Sequence, residues 1–96
     1  MTLNQKQSRY LRGLGHQRKV VVTIGQHGLS AAVIAEIKLS LEHHELMKIR
    51  IGAEDRDQRD ALIAALCAEV GCHLVQRVGN IALIYRPAEI PRLTLP

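Results

Sequence analysis

The sequence predicts an α/β fold, a two-layer sandwich with the element order α-β-α-β-α-β-β and a mixed four-stranded sheet. Segments with apolar residues three or four positions apart, typical of amphipathic helices, alternate with short β-branched segments typical of strands. The last two strands are separated only by Gly79-Asn80, a two-residue hairpin turn. We therefore expect parallel crossovers between the earlier strands, one antiparallel strand from the hairpin, and helices mainly on one face of the sheet.

The first helix and the first strand lie in the amino-terminal quarter of the chain. Residues 3–14 are predicted to form a helix that Gly13 and Gly15 end, with Thr2 or Asn4 as its cap. Residues 20–24 are almost all apolar and β-branched, which predicts a strand buried on both faces or nearly so. The apolar face of the helix is formed by Leu3, Gln7, Tyr10, Leu11 and Leu14.

The second helix and the second strand follow a glycine-containing turn. Ser30 is placed to cap a helix that ends near His44. Its apolar side repeats every four residues from Leu29 to Leu41, and Lys38, Glu42 and Glu45 are expected to face outward. Residues 46–51 alternate, with Lys48 and Arg50 on the face opposite the apolar side chains. Such alternation is typical of a sheet with one packed face and one face in water.

The remaining elements complete one domain. Asp55 or Asp57 is placed to cap a third helix that ends before Gly71. Residues 73–78 and 81–85 form the closing hairpin. We expect a single domain over residues 1–87, followed by an extended tail over residues 88–96 that contains two of the three prolines.

Composition excludes several classes of protein. The 96 residues, 47% apolar and 23% charged, suit one globular domain. We expect a cytoplasmic protein with no membrane contact, because no apolar run approaches the ~20 residues of a membrane span and the first residues form no apolar signal segment. Cys67 and Cys72 are too few for a disulfide framework, and they are interpreted as small buried hydrophobes in a reducing compartment. A metal site that includes His73 is less well supported.

The positive charge is concentrated near the amino end. Residues 1–30 contain five basic and no acidic side chains, whereas the rest of the chain contains eight basic and nine acidic ones. This asymmetry favours an anionic partner, with nucleic acid first, although a solvated basic helix without a partner would show the same composition. The five residues are Lys6, Arg9, Arg12, Arg18 and Lys19.

A Gly-x-x-Gly turn, Gly25-Gln26-His27-Gly28, stands between the first strand and the second helix. Glycines allow close approach to the backbone, and a helix N-terminus offers unpaired N–H donors and partial positive charge, so this arrangement suits a phosphate. Two glycines at this spacing often form only a tight turn. Lys48 and Arg50 on the second strand add positive charge near the same region.

Catalysis and cofactor binding are poorly supported by the sequence. No nucleophile elbow, phosphate-loop lysine or metal-binding histidine pair is present. His43 and His44 are adjacent on a helix, where they point about 100° apart. We therefore expect no enzyme activity, no cofactor, no metal and no small-molecule substrate.

Several strings of residues resemble the CRM domain (chloroplast RNA splicing and ribosome maturation) in its stand-alone bacterial YhbY-type form. The match runs in order over about residues 3–87. Gln26-His27 and Gly79-Asn80-Ile81 depart from the pattern, because family members often carry Lys in these turns. The matching strings are Tyr10-Leu11-Arg12, Ile24-Gly25-x-x-Gly28-Leu29-Ser30, the run from Leu41 to Ile49, Glu54-Asp55-Arg56 and Leu83-Ile84-Tyr85-Arg86-Pro87.

The resemblance implies a fold similar to the C-terminal domain of translation initiation factor 3. It also implies binding of RNA, in particular ribosomal RNA in precursors of the large (50S) subunit. A protein-interaction adaptor that keeps the fold but not RNA binding is the alternative. The expected RNA contacts are the turn residues Gly25, Gln26, His27 and Gly28, flanked by Lys6, Arg9, Arg12, Arg18, Lys19, Lys48 and Arg50.

Overall fold

The computed structural model describes residues 2–25, 27–53 and 55–96. The elements are α1 (Gln5–Gly15), β1 (Val20–Ile24), α2 (Ala31–His44), β2 (Leu46–Ile51), α3 (Arg56–Val70), β3 (His73–Val78) and β4 (Ile81–Tyr85). The strand order is β1-β2-β4-β3, in which β1 is parallel to β2 and the other neighbouring pairs are antiparallel. The predicted α/β class, element order and mixed four-stranded sheet are confirmed.

The main core lies between one face of the sheet and the helices α2 and α3. Ile49 of the central strand β2 and Ile84 of β4 are completely buried there, against Leu41 of α2 and Leu66 of α3. Both helices begin at the predicted caps. The Ser30 hydroxyl accepts a hydrogen bond from the Val33 N–H at 3.1 Å, and the side chain of Asp55 caps α3.

Helix α1 covers part of the opposite face and forms a second, smaller core. Leu11 of α1 packs on Leu46, Leu83 and Tyr85, which project from β2 and β4 away from the main core. The helix ends at Gly15, as predicted, and this last residue is buried, whereas Gly13 lies within the helix. A Cβ on Gly15 would lie 2.5 Å from the Leu83 Cδ2 atom, so glycine lets the helix approach the sheet closely.

The start of α1 is fixed by a capping box and differs from the predicted start at residue 3. The Asn4 side chain accepts from the Gln7 N–H at 2.8 Å, and Gln7 Oε1 accepts from the Asn4 N–H at 3.1 Å. Gln7, placed on the apolar face by its spacing, is therefore part of the helix cap, and Leu3 precedes the helix.

Strand β1 contradicts the expectation of burial on both faces. Val22 and Ile24 are buried, whereas Val21 and Thr23 are exposed. The cause is topological, because β1 is an edge strand that pairs only with β2. Helix α1 packs on β2, β3 and β4 and leaves the outer face of β1 uncovered.

Glu45 was expected to face outward, and this expectation is wrong. Its side chain is 1% exposed. The residue follows the end of α2 and has φ +63°, so the helical periodicity no longer sets its direction. Its carboxylate accepts hydrogen bonds from the backbone N–H groups of Ala88 at 2.9 Å, and of Arg92 and Leu93 at 3.0 Å each.

These hydrogen bonds hold residues 88–96 against the domain, although this segment contains no helix or strand. Ala88 is buried, and Leu93 and Leu95 pack on the second core beside α1. The Gln7 side-chain amide donates to the Pro96 carbonyl at 3.3 Å. The segment therefore forms part of the cover of the second core.

The Glu45 carboxylate is stabilised in its charged form. Burial raises the pKa of this carboxyl, but the hydrogen bonds from Ala88, Leu93 and Arg92, together with the charge of Arg92, outweigh it and leave the pKa below its ordinary value of 4.5. A depressed pKa in the folded state adds stability above the pKa of the unfolded chain. That stability is lost as the pH falls through the pKa of the folded state.

We expect Glu45→Gln to lower the free energy of unfolding by about 2 kcal/mol near neutral pH, because charged acceptors make the stronger hydrogen bonds. Urea denaturation measured from neutral pH to about pH 3 should show the difference from wild type shrinking as the carboxyl is protonated. Glu36→Gln, at an exposed position of α2, is the matched control and should change little. A difference for Glu45→Gln that stays constant over this pH range would contradict the prediction.

Candidate nucleic-acid interface

The turn between β1 and α2 is tight and open to solvent. The Gly28 N–H donates to the Gly25 carbonyl at 3.1 Å, and Gly28 has φ +70°, a conformation that favours glycine. A Cβ added to either glycine would meet no atom within 4 Å. Gly25 has no positive φ, so neither strain nor crowding among the described residues requires glycine there, and the residue is exposed. His27 is exposed, and Gln26 lies outside the described residues.

Donors for an anion come from the start of α2 more than from the turn itself. The Gly28 N–H is used within the turn, and the Ser30 hydroxyl satisfies the Val33 N–H. The N–H groups of Ala31 and Ala32 have no acceptor within the helix, as at any helix N-terminus, and both residues are exposed. The first turn of α2 contains no acidic residue. This end of the helix therefore suits a phosphate.

Gly52, which was not predicted to be part of the site, contacts the chain where the turn begins. Its N–H donates to the Ile24 carbonyl at 2.8 Å. A Cβ on Gly52 would lie 2.8 Å from the same oxygen and 3.5 Å from Gly25 Cα, so a side chain there would displace the turn. The available signal was a glycine directly after the strand that pairs with β1.

Helix α1 leaves part of the sheet uncovered, and we refer to this part as the open sheet face. It is formed by Thr23, Lys48, Arg50, Gln76, Val78 and Ile81. Arg50 is exposed on it, between its cross-strand neighbours Thr23 of β1 and Ile81 of β4. Lys48 is half-buried at the next position along β2 on the same face, and its cross-strand neighbour on β4 is Leu83. A shallow hollow of this face is lined by His16, Lys48, Gln76, Val78, Ile81 and Leu83.

Sequence reasoning found the two basic residues of the open sheet face but not its other side chains. Gln76 and Val78 come from β3, and Val78 is 66% exposed. Their place beside Lys48 follows from the order β2-β4-β3, which brings β3 next to β4 and near β2. The alternation within β3 was a usable signal, but it does not specify which helix covers which part of the sheet.

The other predicted basic residues lie apart from the turn. Arg9 and Arg12 line a second hollow along α1, and Lys6 is exposed on the same helix. Arg18 and Lys19 precede β1, so the length of this strand, about 17 Å at ~3.3 Å per residue, separates them from the turn. Arg50 is level with Thr23 and lies near the turn, whereas Lys48 is level with Val20 and lies near the start of β1, on the side of Arg18 and Lys19. The other three predicted basic residues lie on α1.

None of these seven basic side chains makes an ion pair with a carboxylate within the part of the chain that the structure describes. The carboxylates that do form ion pairs here have other partners. Asp60 binds Arg77 at 2.8 Å and lies 4.0 Å from Arg56. Glu42 lies 3.9 Å from Arg86, and Glu45 lies 3.9 Å from Arg92. Positive charge on α1, the connection and the open sheet face is therefore not neutralised by these pairs. A surface of this kind attracts a polyanion.

A metal site and a membrane-spanning helix were both sought among residues 2–25, 27–53 and 55–96, and neither is found. These residues contain no group of three side chains placed to hold a metal ion. No helix among them is both long enough and apolar enough to cross a bilayer.

The fold and the charge distribution define a small α/β protein with positive charge on α1, on the connection to β1 and on the open sheet face. Comparison of the sequence with models of known families gives a match over most of the chain. The model of the CRS1/YhbY (CRM) domain matches residues 3–86. The chain belongs to this family, as its resemblance predicted.

Relatives match along almost their whole length. A Haemophilus influenzae protein named "RNA-binding protein" is 40% identical over 95 residues, which cover 99% of this chain and 96% of the relative. PA4753 of Pseudomonas aeruginosa, which also has RNA binding in its name, is 38% identical over 99% of this chain and 91% of its own length. The solution structure of SAV1595 from Staphylococcus aureus has a TM-score of 0.84 and 33% identity, and covers 99% of this chain and 100% of that one.

Proposed function

We propose that this protein is a non-enzymatic, cytoplasmic RNA-binding protein that binds ribosomal RNA in precursors of the large (50S) ribosomal subunit. The observation that carries the RNA-binding part is the bare glycine turn at the N-terminus of α2, with the basic open sheet face beside it. The names of the relatives support RNA as the ligand. The resemblance to YhbY-type proteins supports the link to the large subunit.

In the proposed complex, one phosphate of the RNA lies at the start of α2, where Ala31 and Ala32 offer N–H donors. The Gly25 main chain allows this approach because a Cβ there would meet no atom of the described residues within 4 Å, its chain neighbours aside. From there the sugar–phosphate backbone crosses β1 to Arg50 and Lys48, whose cations bind further phosphates. The residues of α1 and the connection to β1 contact more distant parts of a folded RNA.

Recognition in this proposal depends on backbone and shape more than on base sequence. Stacking on aromatic side chains is the common way to hold unpaired bases. Of the two tyrosines in the sequence, Tyr85 is 1% exposed and belongs to the second core, and Tyr10 is 39% exposed. A sheet with so few aromatics is better suited to phosphates than to stacked bases.

We expect Gly25→Asp combined with Gly28→Asp to abolish RNA binding while the fold is retained. Each substitution places a carboxylate where a phosphate would approach, and neither added Cβ meets another atom. Asp also tolerates the left-handed conformation of Gly28 better than most residues. An RNA gel shift measures binding, and circular dichroism measures folding.

Gly71→Asp is the matched control for that double variant. Gly71 also has a positive φ, +76°, and open space around it, but it lies at the far end of α3. The control should bind RNA like wild type. Unchanged binding by the folded double variant would reject the turn as the binding site.

We expect Lys48→Ala combined with Arg50→Ala to weaken RNA binding and to reduce its salt dependence. With four to six phosphate contacts, log K should fall with log[salt] with a slope of about −3 to −4 for a single strand, and loss of two contacts should reduce the slope by about 1.4. Fluorescence anisotropy at several salt concentrations measures both. Lys38→Ala, on the opposite side of the sheet, is the control and should bind as wild type does.

Salt dependence also distinguishes RNA binding from the adaptor alternative. An apolar protein interface responds little to salt, whereas phosphate contacts respond steeply. A flat salt profile for the physiological partner would therefore favour the adaptor.

The ribosomal part of the proposal is tested in cells. Ultraviolet cross-linking, followed by sequencing of the attached RNA, should recover large-subunit ribosomal RNA, and the protein should sediment with precursor large subunits in sucrose gradients. The double aspartate variant is the negative control. Recovery of other RNA classes alone would contradict the ribosomal assignment and leave RNA binding itself intact.

A further inference from the structure

The two cysteines lie together at the end of α3, and the proposed RNA-binding surface does not include them. Gly71, with φ +76°, turns the chain back after the helix. Both the Gly71 N–H and the Cys72 N–H donate to the Cys67 carbonyl, at 2.8 and 3.2 Å. This turn brings residues 67 and 72 side by side, and their Sγ atoms are 3.7 Å apart.

Contact between these two positions is common at helix ends of this kind and normally joins two apolar side chains. Packing alone would therefore explain two small hydrophobes here. Two thiols have in addition a chemistry that two apolar side chains lack. The backbone of the turn holds them close to the separation that a disulfide needs, and both are free in this structure.

The two sulfur atoms differ in access and in protonation. Cys67 is half-exposed, whereas Cys72 is buried. The Cys72 thiol donates a hydrogen bond to the Cys67 sulfur, which lowers the pKa of the Cys67 thiol and raises that of Cys72. Cys67 is thus both the more accessible sulfur and the one more readily ionised, and the thiolate is the reactive form. Cys72 is placed to react second.

We propose that Cys67 and Cys72 form an oxidative modification site, at which a peroxide converts the two thiols into an intramolecular disulfide. The Cys67 thiolate attacks one peroxide oxygen, the O–O bond breaks, and hydroxide leaves and is protonated to water. Cys67 is then a sulfenic acid. The Cys72 sulfur attacks the Cys67 sulfur, the S–O bond breaks, and the hydroxyl group leaves as water with the Cys72 proton. In total, two thiols and hydrogen peroxide give one disulfide and two waters.

The geometry allows this step with little movement. The sulfur atoms must approach by about 1.7 Å to reach disulfide bonding distance, which rotation of the two side chains can supply. The bond would connect the last turn of α3 to the residue before the edge strand β3. A thiol reductant reverses the reaction by exchange, so in a reducing compartment the site stays reduced until it is exposed to peroxide.

The test uses the full chain and hydrogen peroxide as the probe. After treatment with an equimolar amount of peroxide, the protein is denatured, alkylated with iodoacetamide and weighed by mass spectrometry. We expect a monomer that has lost two hydrogen atoms and takes up no alkyl group, and dithiothreitol should restore both thiols. Retention of both free thiols, a disulfide-linked dimer, or a sulfenic acid that persists on Cys67 would overturn the proposal.

Single serine variants assign the roles of the two sulfur atoms. In Cys72→Ser, Cys67 should remain a sulfenic acid that dimedone labels, because no second thiol reacts with it. In Cys67→Ser, oxidation of the buried Cys72 should be at least about tenfold slower than oxidation of Cys67 in wild type. Equal rates would contradict the assigned order. The mass measurement on wild type stands without these variants, so a folding defect in either of them leaves the proposal testable.

Discussion

The side chains of the central strands β2 and β4 alternate between two apolar cores on opposite faces of one sheet, and the rest of the structure depends on this alternation. Ile49 and Ile84 point to α2 and α3, whereas Leu46 and Tyr85 point to α1. A shift of one residue in the pairing of β2 with β4 would exchange the two sets of side chains and disrupt both cores. The register of this central pair therefore fixes where all three helices pack.

The candidate interface exists because α1 covers only part of its face of the sheet. One helix of 11 residues cannot cover four strands, so the outer face of β1 and the neighbouring part of β2 stay open. Parallel pairing brings the end of β1 beside the end of β2, where the hydrogen bond from Gly52 to Ile24 holds the strand just before the glycine turn. The register of β1 with β2 thus places Arg50, opposite Thr23, near the turn and Lys48, opposite Val20, near the start of β1.

Much of the fold was predictable because its signals are local. The cap at Ser30, the hairpin turn at Gly79-Asn80 and the apolar spacing of α2 are each set by a few neighbouring residues, and all three are found in the structure. The errors concern features set by distant residues. The composition of β1 predicts a buried strand, but its place at the sheet edge exposes Val21 and Thr23. The helical spacing predicts that Glu45 is exposed, but backbone N–H groups of residues 88–93 donate hydrogen bonds to its buried carboxylate.

In the candidate site, too, features set by neighbouring residues were predictable and features set by distant residues were not. The glycine turn and the alternating cations of β2 can be read from the sequence, because each depends on neighbours along the chain. The alternation within β3 and the glycine after β2 were visible in the sequence. They did not place Gln76 and Val78 on the open sheet face or Gly52 against the turn, since those positions depend on which strands are neighbours in the sheet.

The second core joins the two ends of the sequence, because Leu93 and Leu95 pack beside Leu3 and Leu14. Translation proceeds from the amino end, so α1 leaves the ribosome long before residues 93–95 exist to cover it. The main core draws all its side chains from residues 22–84 and can assemble earlier. A nascent chain halted before residue 93 would lack this part of the cover of α1, whereas Leu46, Leu83 and Tyr85 would already be present to pack on Leu11.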